Sequence, residues 1–164
     1  MKVQKRRRIE GKTDYLSRFK LLKGKTPRLV LRKTNKYFIA QYVTSKEAQD
    51  KPEFEINSKK LLRYGWGEGA KGSLKSTPAA YLTGFLTGKR ILAEKKKTPI
   101  LDFGIARKIH KSKIFAFLKG VADSGVKIKT GEKKDIFPAE ERIEGKHLKN
   151  KIPFQEIKSK IEKQ

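Results

Sequence analysis

The sequence predicts a single mixed α/β domain in which three antiparallel strands are followed by a helix, a fourth strand and a second helix. β-branched and aromatic residues on both sides of the short polar turn at 34–36 are typical of a hairpin. Two amphipathic segments, at about 79–95 and 113–124, enclose the apolar run 98–104. A strand that follows a crossover helix in the same sheet should lie parallel to an earlier one. We therefore expect a mixed sheet, an antiparallel meander plus one parallel strand, packed with helices.

The composition indicates a folded core in a chain of one domain. Among 164 residues, Leu, Ile, Val and Phe number 42, above the roughly 20% level below which a highly charged chain is expected to be disordered. The absence of cysteine excludes disulfides and thiolate metal sites. No run approaches the roughly 18 apolar residues of a membrane helix, and the basic N-terminus lacks the apolar stretch of a secretory signal. We expect a soluble, intracellular protein.

The charge is strongly basic and is concentrated near the N-terminus. The chain carries 42 Lys and Arg against 17 Asp and Glu, a net charge of +25. Solubility needs a net charge of only about 2 to 8, so we expect a polyanion, with nucleic acid as the first candidate, to neutralise it. Residues 1–36 carry 14 basic and 2 acidic side chains. The predicted parts are a basic RNA-binding arm at 1–12, an α/β core at 13–126 and a C-terminal extension at 127–164.

In the N-terminal half, the predicted elements are the arm, a helix and three strands. Residues 1–12 show no periodicity and should be disordered until bound. Thr13 or Asp14 can cap a helix over 15–23, which Gly24 ends. The apolar face of this helix comprises Tyr15, Phe19 and Leu22. The meander has strands at 28–33, 37–43 and 54–57, joined by the turn at 34–36 and a polar loop at 44–52.

In the second half, a glycine-rich loop at 65–72 leads to the first long helix. Thr77 as N-cap and Pro78 in the first turn signal the start of that helix. Gly84 and Gly88 leave a smooth strip where another backbone can approach closely. The side chains that this helix should bury are Leu82, Phe85, Leu86 and Leu92. The second helix should be capped by Ser112, closed by Gly125 and buried through Ile114, Phe117, Leu118 and Val121.

Beyond residue 127 the sequence has two weaker helical patterns, one at about 140–148 and one containing Phe154, Ile157 and Ile161. A helix this short is marginal in water, so its apolar face needs a docking surface to form. The mixed charge of this region favours contact with another macromolecule, or a solvated tail, over phosphate tracking.

Three motifs suggest cofactor binding or catalysis, but their contexts do not support it. Gly67-x-Gly69-x-x-Gly72 lacks the preceding strand and the immediate helix of a dinucleotide site. The phosphate-loop-like run 84–90 is one residue short and lies inside a predicted helix. Asp102 has only Glu53 and Glu55 as companions, fewer carboxylates than a metal-dependent nuclease needs, so a capping or turn role is favoured. We expect no catalytic residue, no metal site and no cofactor.

The remaining candidate functional feature is a set of basic clusters interleaved with aromatic residues. Lys and Arg neutralise phosphates, Asn and Thr hydrogen-bond sugars and phosphates, and Tyr or Trp stack on unpaired bases, which is the chemistry of RNA recognition. Tyr42 should pack in the sheet, whereas Tyr37 and Trp66 stay open between packing and stacking. His110 and His147 lack triad partners and are expected at the surface or on RNA. The candidate RNA-binding residues are Lys5, Arg6, Arg7, Arg8, Lys12, Arg18, Arg32, Lys33, Thr34, Asn35, Lys36, Tyr37, Trp66, Lys71, Lys89, Arg90, Arg107, Lys108, His110, Lys111 and Lys113.

The chain resembles a known family in segments that run in order from Tyr15 to Leu148. These segments are YLSRFKLLKGKTPRLVLRKTNKYFIAQYV (15–43), GW (65–66), TPAAYLTGFLTGKRIL (77–92), ILDFG (100–104), FAFLKGVADSGV (115–126) and PAEERIEGKHL (138–148). The combination of R-K-x-N-K-Y, P-A-A-Y-x-T-G and E-R-I-x-G makes chance similarity improbable. The chain is similar to the universal large-subunit ribosomal protein family that binds 5S ribosomal RNA, protein eighteen in archaea and bacteria and protein five in eukaryotes. The archaeal form is the nearest.

The resemblance implies an RNase-H-like α/β scaffold without catalysis, located in the cytoplasm on the large ribosomal subunit and anchored in the central protuberance. The implied partners are 5S rRNA, large-subunit rRNA, the other 5S-binding ribosomal protein and neighbouring central-protuberance proteins, with this chain a monomer within the ribosome and no membrane contact. The extension is then expected to contact protein or large-subunit RNA. Two alternatives stay open: a sequence-neutral nucleic-acid packaging protein, and a metal-dependent nuclease on the same scaffold.

Overall fold

The helices and strands are seen in a computed structural model, which describes residues 3–47, 49–67, 73–128, 136–148 and 152–163. The helices are α1 (Arg6–Ile9), α2 (Tyr15–Lys23), α3 (Thr77–Ala93), α4 (Lys113–Asp123), α5 (Glu140–Glu144) and α6 (Phe154–Glu162). The strands are β1 (Arg28–Lys33), β2 (Phe38–Lys46), β3 (Gln49–Asn57) and β4 (Ile100–Asp102), and a 3-10 helix, Ser58–Tyr64, follows β3.

In the described part of the chain, the four strands form one mixed sheet in the order β3, β2, β1, β4. β1 pairs antiparallel with β2, and β2 pairs antiparallel with β3. β4 pairs parallel with β1, so that Asp102 lies opposite Val30. The predicted α/β class, with an antiparallel meander plus one parallel strand, is confirmed.

The two long helices pack closely against each other at glycines, among them Gly84, which the sequence predicts to allow close approach, and Gly120, which it does not single out. A Cβ atom at Gly84 would overlap the carbonyl oxygen of Phe117, and one at Gly120 would overlap that of Tyr81. α3 also packs on β2 and β3, and its buried face includes Leu82, Phe85 and Leu86. Leu92, which the sequence predicts to be buried, is 46% exposed, and its neighbour Ile91 is buried instead. The predicted close approach is therefore confirmed, and the buried stripe ends one residue earlier than predicted.

Helix starts agree with the sequence to within one residue. Asp14 caps α2 by accepting hydrogen bonds from the backbone N–H groups of Leu16 and Ser17. The N-cap of α3 is Ser76, which accepts from the N–H of Ala79, and not Thr77. Ser112 precedes α4 as predicted, although its side chain makes no capping hydrogen bond.

Three N-terminal expectations are wrong. The arm contains one helical turn, α1, where disorder was expected. The apolar face of α2 is not buried, since Phe19 is 65% exposed. The polar segment at 44–52 is largely strand, because β2 extends to Lys46 and β3 begins at Gln49. Pro52 is tolerated there because β3 is an edge strand and the ladder register shifts next to Val43, the partner of Pro52.

The C-terminal region packs on the domain itself. α5 and α6 contact α3, and α6 also contacts the 3-10 helix. Phe154, Ile157 and Ile161 are buried in the same core as the sheet. The expectation that this face docks on another macromolecule, or stays in a solvated tail, is therefore wrong. None of the helices in the described ranges is long and apolar enough to span a membrane.

Candidate nucleic-acid interface

A cleft of about 750 Å³ lies where the end of β1 meets the segment between β4 and α4. Its basic lining residues are Lys12, Arg32, Lys33, Arg107, Lys111, Lys113 and Arg142. Among the described residues that line it, none is acidic. We call this surface the basic cleft. It gathers cations from the arm, the hairpin, the 103–112 segment, α4 and α5.

The sheet topology explains why these distant residues meet. β1 and β4 are parallel, so their carboxyl ends lie at the same edge of the sheet. Arg32 and Lys33 end β1, and the chain that leaves β4 carries Arg107 and Lys111 on its way to α4. The parallel pairing therefore brings the hairpin residues and the 103–113 residues together, as the sequence prediction of a parallel strand requires.

Electrostatic repulsion marks the centre of the basic cleft. Burial lowers the pKa of Lys113 below its usual value, and the positive charges of Lys75, Lys33 and Arg142 lower it further. Lys33 and Lys113 make no ion pair with a described carboxylate, so this charge is not neutralised within the described part of the chain. Lys75 and Arg142 are absent from the sequence-predicted set. No local signal identifies them, because the packing of α3 and α5 brings them to Lys113.

The segment that leaves β4 is fixed by Asp102. The Asp102 carboxylate accepts hydrogen bonds from Arg28 Nη1 at 2.9 Å and from the Gly104 N–H at 2.8 Å. Arg32 Nη1 donates to the Asp102 carbonyl at 3.2 Å. The predicted turn role of Asp102 is confirmed. No group of three or more His, Cys, Asp or Glu among the described residues is placed to hold a metal ion.

The arm reaches the basic cleft through Lys12. Arg7 Nε donates to Thr13 Oγ1 at 2.9 Å, and Glu10 pairs with Lys12 at 2.7 Å and with Arg6 at 3.5 Å. A smaller cavity of about 110 Å³ beside the basic cleft has four cations in its lining, Arg7, Lys12, Arg18 and Arg32, against two carboxylates, Asp14 and Asp102. Arg8 is exposed, and Lys5 Nζ lies 4.6 Å from the centroid of the Tyr15 ring. The arm thus extends the cationic surface beyond the cleft.

The hairpin turn continues the same surface. Thr34 Oγ1 accepts from the Tyr37 N–H at 2.9 Å, and the Thr34 N–H donates to the Tyr37 carbonyl at 2.9 Å. This closed turn leaves Thr34, Asn35 and Lys36 exposed next to Lys33, while Tyr37 is half-buried against the core. Lys108 and His110 are exposed on the 103–112 segment, where the His110 ring meets the Phe115 ring edge-on.

Several predicted site residues lie elsewhere or are engaged in other contacts. Trp66 is 2% exposed, so the prediction that its ring contacts RNA is wrong, because the indole lies in the core. Lys71 is outside the described residues, as is most of the glycine motif around it. Arg18 pairs with Asp50 at 2.8 Å. Tyr42 packs as predicted, stacked on Phe54.

Lys89 and Arg90 are not part of the basic cleft. They lie near the C-terminal end of α3, whereas Thr77, at its N-terminal end, lines the cleft. At 1.5 Å of rise per residue, the 12 residues from Thr77 to Lys89 span about 18 Å. The run 84–90 is continuous helix, as the sequence predicted, and does not form a phosphate loop.

The sequence is similar to those of known proteins over most of its length. The profile of the family described as ribosomal large subunit proteins 60S L5 and 50S L18 matches residues 1–99. Large ribosomal subunit protein uL18 of Methanoculleus marisnigri is 43% identical over 148 residues, which cover 90% of this chain and 81% of that protein. The uL18 of Methanoregula boonei is 41% identical over 143 residues, covering 87% and 79%. The uL18 of Korarchaeum cryptofilum is 40% identical over 163 residues, covering 99% and 80%. Because the profile and these relatives match most of the chain, the chain belongs to the L18 and L5 family of large-subunit ribosomal proteins.

Proposed function

We propose that this protein is a non-enzymatic structural component of the large ribosomal subunit that binds 5S rRNA and helps attach it to the large-subunit rRNA in the central protuberance. The observation that carries the proposal is the basic cleft, where cations from five parts of the chain converge and none of the described lining residues is acidic. Family membership supplies the ribosomal context. The specific RNA follows from the resemblance in the hairpin and α3 segments.

Phosphate binding is the chemistry that suits the basic cleft. Each phosphate that enters neutralises cations that repel one another around Lys113 and releases counterions from the RNA. Asn35 and Lys36, exposed on the adjoining turn, can add a side-chain amide and an ammonium group to the same RNA segment. On this proposal, the 1–12 arm and the 103–113 segment hold the RNA from two sides of the hairpin.

The proposal includes the position of the protein within the subunit. As a monomer there, it would neighbour the other 5S-binding ribosomal protein and the proteins of the central protuberance. The 1–12 arm, the 13–126 core and the 127–164 extension would then act together, since α5 supplies Arg142 to the basic cleft and α6 closes the core.

Competition binding tests the proposal. Labelled 5S rRNA is bound to the full-length protein and then displaced with unlabelled competitors. Unlabelled 5S rRNA should displace it at a much lower concentration than a size-matched structured RNA or a duplex DNA does. Equal competition by all three would support the packaging alternative and contradict the proposal. Cleavage of the RNA on addition of a divalent metal ion would support the nuclease alternative.

A charge-matched pair of variants assigns the binding to the basic cleft. Lys33→Gln combined with Lys113→Gln should flatten the log–log salt dependence of 5S rRNA binding by about 1.5, since each phosphate contact contributes roughly 0.7 to 0.9. Lys46→Gln combined with Lys127→Gln removes the same charge from exposed positions outside the cleft lining. This control should leave the slope unchanged. Equal slopes for the two variants would show that the RNA lies elsewhere.

A further inference from the structure

A second group of cations surrounds a cavity of about 400 Å³ at the C-terminal end of α3. The lining includes Lys60 and Arg63 from the 3-10 helix and Lys89 and Arg90 from α3. Lys158 of α6 extends the group, because its Nζ lies 5.6 Å from the Phe85 ring centroid and that of Lys89 lies 5.5 Å from the same centroid. We call these five residues the distal basic cluster.

The distal basic cluster carries excess positive charge. Burial lowers the pKa of Lys60, and the charges of Arg90 and Arg63 lower it further, with partial opposition from Glu55. The cavity has one carboxylate among its described lining residues, Glu94, and that group is paired with Arg90 Nε at 2.8 Å. A ligand with several negative charges would therefore relieve repulsion that the described residues do not neutralise.

The cavity also offers apolar and aromatic surface. The aliphatic part of its lining comprises Ile56, Leu86, Ala93 and Ile161, and Tyr64 is also among the lining residues. Arginine and lysine around an aromatic ring is the combination that neutralises phosphates while contacting a base or ribose. A nucleotide would use both kinds of lining group, its phosphate the cations and its base or ribose the apolar surface, so we take RNA as the occupant.

The distal basic cluster and the basic cleft lie at opposite ends of one helix. About 18 Å of α3 separates Lys89 from Thr77, the α3 residue in the cleft lining. α3 is buried along most of its length and packed against α4, so the two ends keep a fixed spacing. Two RNA segments can therefore be held at once in a defined relative position.

We propose that the distal basic cluster is a second RNA-binding site, which takes the phosphate backbone of a separate RNA segment while the basic cleft holds 5S rRNA. This inference rests on the proposed function for the identity of the first RNA. On this inference, residues of the 3-10 helix, α3 and α6 bind the second RNA and so attach the first RNA to it. Loading of the first site should leave the second site open.

A two-step binding experiment tests the inference. The full-length protein is first saturated with 5S rRNA, and a short fluorescent RNA stem-loop is then titrated into the complex. The cluster variant combines Lys60→Gln, Arg63→Gln and Lys89→Gln. It should bind 5S rRNA like the wild type but bind the stem-loop about tenfold more weakly, with a salt slope flatter by about 2. A matched control combines Lys46→Gln, Lys127→Gln and Lys163→Gln and should behave like the wild type in both steps.

Three results would overturn the inference. The cluster variant could bind the stem-loop as tightly as the control does, or it could lose affinity for 5S rRNA to the same extent as the Lys33→Gln, Lys113→Gln protein. Displacement of the stem-loop by polyglutamate but not by unlabelled RNA would assign the cluster to an acidic protein partner instead. Retained circular dichroism and melting temperature show that each variant is folded.

Failure of the proposed function gives a different outcome. If the wild type does not prefer 5S rRNA to a size-matched RNA, the first site is misassigned. The distal basic cluster is then tested on its own by adding the cluster or control substitutions to the Lys33→Gln, Lys113→Gln protein. Weaker stem-loop binding only with the cluster substitutions supports a second RNA site, and equal binding overturns it.

Discussion

Arg28 and Asp102 form a buried ion pair across the parallel junction of β1 and β4, with Arg28 Nη1 2.9 Å from Asp102 Oδ2. The two residues are 74 positions apart in the chain. Arg28 Nη2 also contacts Asp50 Oδ1 at 2.5 Å and Ser45 Oγ at 3.1 Å, which ties β1 to the β2–β3 hairpin. Because Asp102 also fixes the turn at Gly104, one carboxylate couples the stability of the sheet to the geometry of the basic cleft.

Arg28→Met should lower the free energy of unfolding by about 3 kcal/mol, because it removes the hydrogen-bonded cation from the buried carboxylate of Asp102 and leaves the more distant, exposed Arg32, whose Nη1 lies 3.7 Å away. Urea denaturation of the wild type and the variant measures this difference. Arg107→Met is the control, since Arg107 is exposed, and its effect should stay within about 0.5 kcal/mol. A loss for Arg28→Met no larger than that of the control would contradict a stabilising role for the pair.

Acid should destabilise the protein partly through Asp50. Burial opposes ionisation of its carboxylate, but hydrogen bonds from Ser45, Arg28 and Arg18 outweigh burial and lower its pKa from the ordinary value of 3.8. The stabilisation is therefore complete above pH 3.8 and is lost as the pH falls through the lowered pKa of the folded state. In Asp50→Asn, the melting temperature should start lower and fall less steeply over this range. A curve parallel to that of the wild type would contradict the assignment.

Gly120→Ala should destabilise the protein by about 1 to 3 kcal/mol or more, because the added methyl group overlaps the carbonyl oxygen of Tyr81 where α4 crosses α3. Gly67→Ala is the matched control, since a Cβ at Gly67 meets nothing within 4 Å. Thermal and urea denaturation compare the two variants. Equal stability of the two would mean that the helices do not approach as closely as described.

Local signals in the sequence account for the parts of the fold that were predicted correctly. The cap at Asp14, the turn at 34–36 and the glycines of α3 each act over a few residues, so their structural consequences can be seen in the sequence. The 44–52 segment could not be recognised as strand, because it is polar, contains a proline and lies at the sheet edge, where alternation is not required. The sequence leaves Trp66 open between packing and base stacking, because the glycines around it give no periodicity that would place its ring, and the structure buries that ring in the core.

The candidate site divides in the same way. Basic residues in the arm, the hairpin and the 107–113 segment are visible as clusters in the sequence, and the parallel strand brings the hairpin and this segment together. Lys75 and Arg142 join them only through the packing of α3 and α5. The separation of Lys89 and Arg90 from the cleft likewise depends on the direction of α3. Sequence patterns thus identify which residues are basic, and tertiary packing decides which of them act together.

Ile157→Ala should cost about 2 to 5 kcal/mol of stability, because Ile157 is fully buried where α6 packs on the rest of the core. Lys160→Ala, at an exposed position on the same helix, should change stability by less than about 0.5 kcal/mol. Because both variants place Ala in α6, the difference between their stabilities measures the packing of α6 on the core and not a change in helix propensity. Equal effects in urea denaturation would show that α6 does not contribute to the core in solution.

Lys113→Gln should weaken RNA binding without lowering stability. Burial and the nearby charges of Lys75, Lys33 and Arg142 lower the pKa of Lys113, so its charged form is disfavoured in the folded protein. Stability should therefore rise with pH between that lowered pKa and the ordinary value of 10.5, and this rise should shrink in the variant. At neutral pH the melting temperature should stay equal or increase, while the log–log salt slope of 5S rRNA binding flattens by about 0.7 to 0.9. The control Lys127→Gln, at an exposed position outside the cleft lining, should change neither quantity. A lower melting temperature with unchanged RNA affinity would make Lys113 a structural residue. The expected result, an equal or higher melting temperature with weaker RNA binding, means that the charge of Lys113 destabilises the free protein and stabilises its complex with RNA.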